Sequence, residues 1–179
     1  FGMTMIVSKG KTILVADTNV QDFPSSGRLV NVSKSCVRVA RLFGFDPKVA
    51  FLSHSTFGKP ISKNTKHVRD AIELLKEEKV DFDFDGEMQP DVALNPIYQE
   101  IYPFSKIVGN ANILIMPALH SAAISTKLMK VFGGGKLIGP LLIGLGLPIE
   151  VAPLRASTSE ILNLASIASY SSDVIDYSD

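Results

Sequence analysis

The sequence contains one cysteine, three histidines and no net charge. Cys36 alone cannot form an internal disulfide. Eighteen basic residues offset eighteen acidic ones, which excludes the sustained positive field that a nucleic-acid backbone or an anionic membrane surface selects. A local site for one small anion stays open. No histidine has another histidine or a cysteine at ligand spacing, so no zinc centre or other metal is expected in the chain. The longest apolar run, Leu137 to Val151, is broken by Gly139, Pro140, Gly144, Gly146 and Pro148 and reads as buried strand and loop, not as a membrane span. No charged segment followed by an apolar one opens the chain, and the default compartment is the cytoplasm. The start Phe1-Gly2-Met3 offers no initiator position, so the chain reads as part of a longer protein.

What is present suits an α/β fold. A length of 179 residues at 46% hydrophobic is enough to bury one core, with a single domain over residues 1–170 and a frayed acidic, serine-rich tail over 171–179. Met3 to Val7 and Thr12 to Ala16 flank Ser8-Lys9-Gly10-Lys11 and predict an antiparallel hairpin. Leu29, Val32, Cys36, Val39 and Phe43 form a helical stripe over 26–43, on which Cys36 is a buried structural residue. Val49 to Leu52 predicts a buried strand. Val68, Ala71, Ile72 and Leu75 predict a helix, with His67 on its solvated face. Asp81 to Asp85 alternates acid with aromatic as a half-wet strand, released at Gly86. Asn110 to Met116 is the next strand. Ile124, Leu128 and Val131 continue as a helix that ends in three glycines, and Lys136 to Gly139 and Ile149 to Ala152 are further strands. Ser157 and Glu160 have the spacing of a capping box, opening a helix buried along Ile161, Leu164, Ala165 and Ala168.

This order predicts a mostly parallel sheet with helices on both faces, opened by the hairpin. Ligands in such sheets sit at the C-terminal strand ends, which selects the loops after Leu52, Phe84, Met116, Ile138 and Ala152. The loop Ser53 to Gly58 offers hydroxyls that either cradle phosphate or, the preferred reading, satisfy local amides. Asp85, Gln89 and Asp91 follow a second strand end, as ligand groups or as solvated turn residues. His120, with Ser121 beside it, opens a helix where free amides favour an anion; a capping role explains it equally well. Arg155 has the chemistry to neutralise a phosphate, and is also an ordinary residue near a helix start. Gly133-Gly134-Gly135-Lys136 is not a phosphate loop, because Leu137 follows the lysine and a strand follows in place of a helix. No nucleophile, base and acid triad is present.

Five segments in one order resemble the phosphate acetyl/butyryltransferase (phosphotransacetylase) family. They are Val15-Ala16-Asp17-Thr18-Asn19-Val20, Phe51-Leu52-Ser53-His54-Ser55-Thr56, Asp85-Gly86-Glu87-Met88-Gln89, Gly109 through Pro117, and Ile138-Gly139-Pro140-Leu141-Leu142-Ile143-Gly144-Leu145. Ser55-Thr56-Phe57-Gly58, Asp85 through Asn95, and Met116 through Ala122 are similar to the version carried by bacterial hybrid NAD(P)-dependent malic enzymes. The resemblance implies the second half of a phosphotransacetylase-like (isocitrate/isopropylmalate dehydrogenase-like) domain. It further implies acetyl-CoA or CoA as ligand, held among Ser53, Ser55, Thr56, Asp85, Gln89, His120, Ser121, Gly139, Pro140 and Arg155.

The resemblance also implies self-association, and a malic enzyme catalytic domain in the same polypeptide that uses NAD or NADP and a divalent metal. Three departures bear on activity: His120 and Ile143 stand where the family's stand-alone acetyltransferases usually carry asparagine and glutamine, and the strongest lies before the last helix. The family's Ser-Arg-Gly segment, whose arginine binds phosphate, aligns with Pro153, Leu154 and Arg155, while Glu160 keeps the family's acidic position. The resemblance therefore implies an acetyl-CoA-sensing regulatory domain; the alternative is an active phosphate acetyltransferase using Arg155, Glu160 and Ser53.

Overall fold

A computed structural model of the chain describes residues 1–174. It is an α/β domain built on a six-stranded sheet of order β4-β3-β5-β2-β1-β6. The hairpin pairs β1 (Gly2–Ser8) with β2 (Lys11–Ala16) through the two-residue turn Lys9-Gly10. β2 pairs in parallel with β5 (Ile113–Ile115), β5 with β3 (Lys48–Leu52), and β3 with β4 (Asp83–Met88). β6 (Lys136–Leu142) runs antiparallel to β1, so it points the same way as β2 to β5. The C-terminal ends of five strands therefore share one edge of the sheet.

The apolar stripes of the sequence account for both layers. On one face, Leu29, Val32, Cys36 and Val39 of α1 (Ser26–Leu42) and Val68, Ala71, Ile72 and Leu75 of α2 (Lys66–Glu78) close over Leu14, Val49, Phe51, Ile113 and Ile115. On the other, Val15, Ala50, Leu52 and Leu114 meet Val92 and Ala93 of α3 (Pro90–Leu94), Ile107 and Val108 of the following loop, and Ala122 of α4 (Leu119–Phe132). Strand residues alternate between these two cores, as their period of two requires.

Four local expectations change. The fourth strand does not end at Asp85; it continues through Gly86 and Glu87 to Met88. Gly86 belongs inside it because a Cβ there would lie 2.6 Å from the carbonyl oxygen of Phe51, so glycine marks close strand approach and not release. Residues 149–152 form no strand, only a single bridge between Leu141 and Glu150. His67 is only partly solvated: its Nε2 lies 2.9 Å from the carbonyl oxygen of Pro117. In α5 (Thr158–Val174) Leu164 is buried, whereas Ile161 and Ala165 are exposed. That helix packs on β6, where Leu164 reaches the core and Ile167 lies partly buried against it. α5 includes residues 171–174; the remainder of the expected tail, 175–179, lies outside the described residues. α3 and the short 3-10 turn at Pro96–Gln99 were not foreseen.

Candidate functional site

Two groups of residues occupy the C-terminal edge of the sheet. The first is the loop after β3. Ser53, Ser55 and Thr56 are buried, and their hydroxyls are engaged internally. The Ser53 and Ser55 oxygens lie 3.2 Å apart, the Ser55 hydroxyl donates to Glu87 Oε1 at 2.7 Å, and Thr56 Oγ1 accepts the Gln89 amide. Gln89 Nε2 in turn donates to the carbonyl of His54.

Glu87, which the sequence reading did not single out, is the hub of this group. It is 1% exposed, and its Oε1 also accepts from the Gly58 amide and from Arg69. A buried carboxyl group is costly unless hydrogen-bonded, and these donors meet that need. Of the three hydroxyls, that of Ser53 accepts an amide of the loop itself, from Ser55, while those of Ser55 and Thr56 tie the loop to the end of β4 and the residue after it.

The second group lines a cavity of about 330 Å³ between α4, α5 and the sheet. Its position follows from a bulge. β1 pairs Met3 with Leu141 and Met5 with Ile138, so Gly139 and Pro140 together oppose Thr4. Gly139 has a φ of +125°, and a Cβ on it would stand 2.8 Å from the Met3 carbonyl oxygen, leaving glycine as the residue that fits. Opposite the bulge, Asp17 Oδ1 accepts the amides of Gly2, Asn19 and Val20 and folds the end of β2 into a turn. That turn brings Thr18 to the cavity, its hydroxyl 3.0 Å from that of Thr4.

The polar walls come from two helices. Lys127 and Lys130 of α4 line one side, and Glu160 and Asn163 of α5 the other. Glu160 Oε1 accepts from Lys130 at 3.0 Å, and Oε2 accepts from the amide and hydroxyl of Ser157, completing the predicted capping box with Glu160 N donating back to Ser157 Oγ. The Ser157 amide, the Lys130 ammonium and the Ser157 hydroxyl hold the Glu160 carboxyl down at about 2. A carboxylate that acidic is a weak general base at neutral pH. Among the described residues Lys127 pairs with no other side chain, so two ammonium groups and one carboxylate line the cavity.

The sequence-predicted residues divide between these groups. Gly139, Pro140 and Glu160 line the cavity; Ser53, Ser55, Thr56 and Gln89 belong to the loop and do not. Asp85 lies on β4 and caps the Gly86 amide, and Asp91 sits in α3, where it accepts from Tyr98. His120 is exposed at the start of α4 with its ring 5.7 Å from that of Phe23, and the Ser121 hydroxyl donates to the carbonyl of Ala118. Leu154 and Arg155 sit at the tip of a turn closed by the Ala156 amide on the Pro153 carbonyl. Both are exposed, and Arg155 has no side-chain partner among the described residues.

Sequence reasoning missed Thr4, Thr18, Lys127, Lys130 and Asn163. The one available signal was Lys127 and Lys130 at i, i+3, which shows a shared helix face but not what it meets. Among the described residues no cluster of His, Cys, Asp or Glu has the make-up of a metal site, and no helix is long and apolar enough to cross a membrane.

Comparisons with known proteins agree with this architecture. The NADP-dependent malic enzyme of Rhizobium meliloti (strain 1021) is 45% identical over 169 residues, covering 94% of this chain. The phosphate acetyltransferase of Bacillus subtilis (strain 168) is 32% identical over 164 residues and 90% of the chain. The chain spans 22% of the former protein and 51% of the latter. Among solved structures, a phosphotransacetylase from Streptococcus pyogenes superimposes with a TM-score of 0.89 at 29% identity, covering 96% of this chain and 54% of its own. EutD phosphotransacetylase from Staphylococcus aureus gives 0.86 at 30%, over 94% and 53%. The family model described as phosphate acetyl/butaryl transferase matches residues 2–169, and with that span the chain belongs to this family.

Proposed function

We propose that the chain is a non-catalytic, acetyl-CoA-sensing domain of a longer malic enzyme. Residues 1–170 serve as the C-terminal half of the transferase-like domain. In this reading the part of the protein outside the chain oxidatively decarboxylates malate with NAD or NADP and a divalent metal, in the cytoplasm. Acetyl-CoA bound here shifts the assembly between states of different activity, as any ligand with unequal affinity for two states must.

The observation that carries this reading is the 153–155 turn. Where the resemblance calls for the arginine that neutralises phosphate, Leu154 stands fully exposed, 104% of its reference area. Transfer between acetyl phosphate and CoA needs charge stabilisation at the phosphoryl group and an activated thiol. Arg155 is one residue displaced, and Glu160 is engaged on both oxygens. Lys127 and Lys130 still supply the charge that a CoA phosphate needs for binding alone.

The second reading, a working phosphate acetyltransferase, is favoured by the retention of Glu160 in a cavity with two lysines. Turnover of the parent protein with acetyl phosphate and CoA separates the two. Absence of acetyl-CoA formation, with saturable acetyl-CoA binding, is the expected result; robust turnover removes the regulatory reading.

Self-association is the third element of the proposal, with a second copy of this chain as the occupant of an exposed apolar face. Ile124, Leu128, Val131 and Phe132 are 59%, 53%, 74% and 83% exposed at i, i+4, i+7 and i+8 of α4, a stripe suited to pack against its own copy about a two-fold axis.

A further inference from the structure

α4 presents two neighbouring faces with different tasks. Ala123, Lys127 and Lys130 line the cavity, while Ile124, Leu128 and Val131, each one position further, form the exposed apolar stripe. A single residue step turns a helix by about 100°, so the two faces adjoin along the same turns. The body of α4 is lightly held. Only Ala122 and Thr126 are buried in it, both in its first two thirds. Beyond them the helix carries Lys130, which pairs with Glu160 in the first turn of α5. The Glu160 side is held through Ser157, whereas the lysine contributes a half-exposed ammonium.

We infer that the Lys130–Glu160 ion pair is a ligand-displaceable tie between α4 and α5, through which filling the cavity alters the outer apolar face of α4. This rests on the acetyl-CoA reading above. An anionic group entering beside Lys127 competes with Glu160 for Lys130. An exposed carboxylate pair is worth little against a multiply charged phosphate. When the lysine turns to the ligand, α4 gains a hold from the cavity and α5 loses its link to α4. The stripe at Leu128, Val131 and Phe132 is then presented on a stiffer helix. Ordinary ligand stabilisation would tighten both helices together. A displaced tie gives changes of opposite sign on its two sides.

Amide hydrogen exchange of the whole chain distinguishes these outcomes. Without ligand, Lys130→Gln should speed exchange in residues 128–132 and 161–164 by on the order of twofold to fivefold, and Lys130→Arg should restore wild-type rates. Rates in Lys130→Gln equal to wild type overturn the tie, whatever the ligand does. Acetyl-CoA added to the wild type should slow 128–132 and quicken 161–164, with inorganic phosphate as the control anion. Slowing of both helices overturns the displacement mechanism while leaving the sensing reading intact. Calorimetry on the same samples reports binding separately: no acetyl-CoA binding at any concentration sinks the sensing reading and the displacement mechanism that rests on it.

Discussion

Arg69 Nη1 donates to Glu87 Oε1 across 3.3 Å, joining the first turn of α2 to the end of β4. Because Glu87 is 1% exposed, deleting the guanidinium removes its cationic partner and leaves it the Ser55 hydroxyl and the Gly58 amide. Arg69→Met should cost about 2–3 kcal/mol, less than a fully enclosed pair would lose because the arginine is partly solvated. Glu87→Gln keeps an acceptor for Ser55 and Gly58 and should cost about 1 kcal/mol. Urea unfolding at neutral pH measures both; an Arg69→Met loss no larger than that of Glu87→Gln would mean that the charge is not what the network protects.

Gly139→Ala should destabilise the chain by about 2–3 kcal/mol, since it combines a positive φ with a backbone clash at Met3. The same change should displace the β1–β6 bulge that lines the cavity and so weaken any ligand there. A thermal midpoint within a degree of wild type would show that the β1–β6 bulge can relax.

Glu150 and Glu160 drive stability in opposite directions with pH. Burial lifts Glu150 from 4.5 to about 7, so the native state holds its proton better than the unfolded chain does. That contribution is complete below about pH 4.5 and is lost as pH rises towards 7. Glu160, held at about 2, contributes above about pH 4.5 and loses that contribution as pH falls towards 2. Between pH 4.5 and 7, Glu150→Gln should therefore gain on wild type by about 1 kcal/mol, a figure reduced for the screening of a half-exposed group. Parallel unfolding curves across that window would remove Glu150 from the account.

Lys127→Ala should weaken acetyl-CoA binding by about 1.5–3 kcal/mol, the scale of a charge-assisted hydrogen bond. Arg155→Ala, on the exposed turn and outside the cavity lining, tests whether the ligand's phosphates extend beyond the cavity; a loss of the same size would place them there. Titration calorimetry of the two variants decides which cation the ligand meets. Unchanged affinity in both would refute an anion site at this edge.

Val131→Glu adds a charge to the α4 stripe without touching the cavity and should leave the chain monomeric at tens of micromolar. Sedimentation reads this directly. A variant as associated as wild type would move the interface elsewhere.

How much of this was legible depended on range. Ser157 and Glu160 form their capping box as spaced, and Cys36 lies on the buried stripe of α1, because both depend on residues within a few turns. The Gly86 misreading has the same origin in reverse: glycine reads as a chain release until the Phe51 carbonyl of a neighbouring strand is seen against it. The resemblance named Gly139, Pro140 and Glu160, which line one cavity, but it could not show that the Ser55 hydroxyl is engaged by Glu87.

The amino-acid sequence by itself determined the order of elements, the faces that α1 and α2 bury and the motifs that mark the family. These follow from periodicities of two and 3.6 residues and from short-range hydrogen bonds. The tertiary structure decided which distant residues share a cavity. Thr4, Lys127 and Glu160 meet only because β6 pairs beside β1 through a bulge and α5 returns across that edge. That pairing is a choice among registers, and its energy lies in long-range contacts that no local pattern encodes.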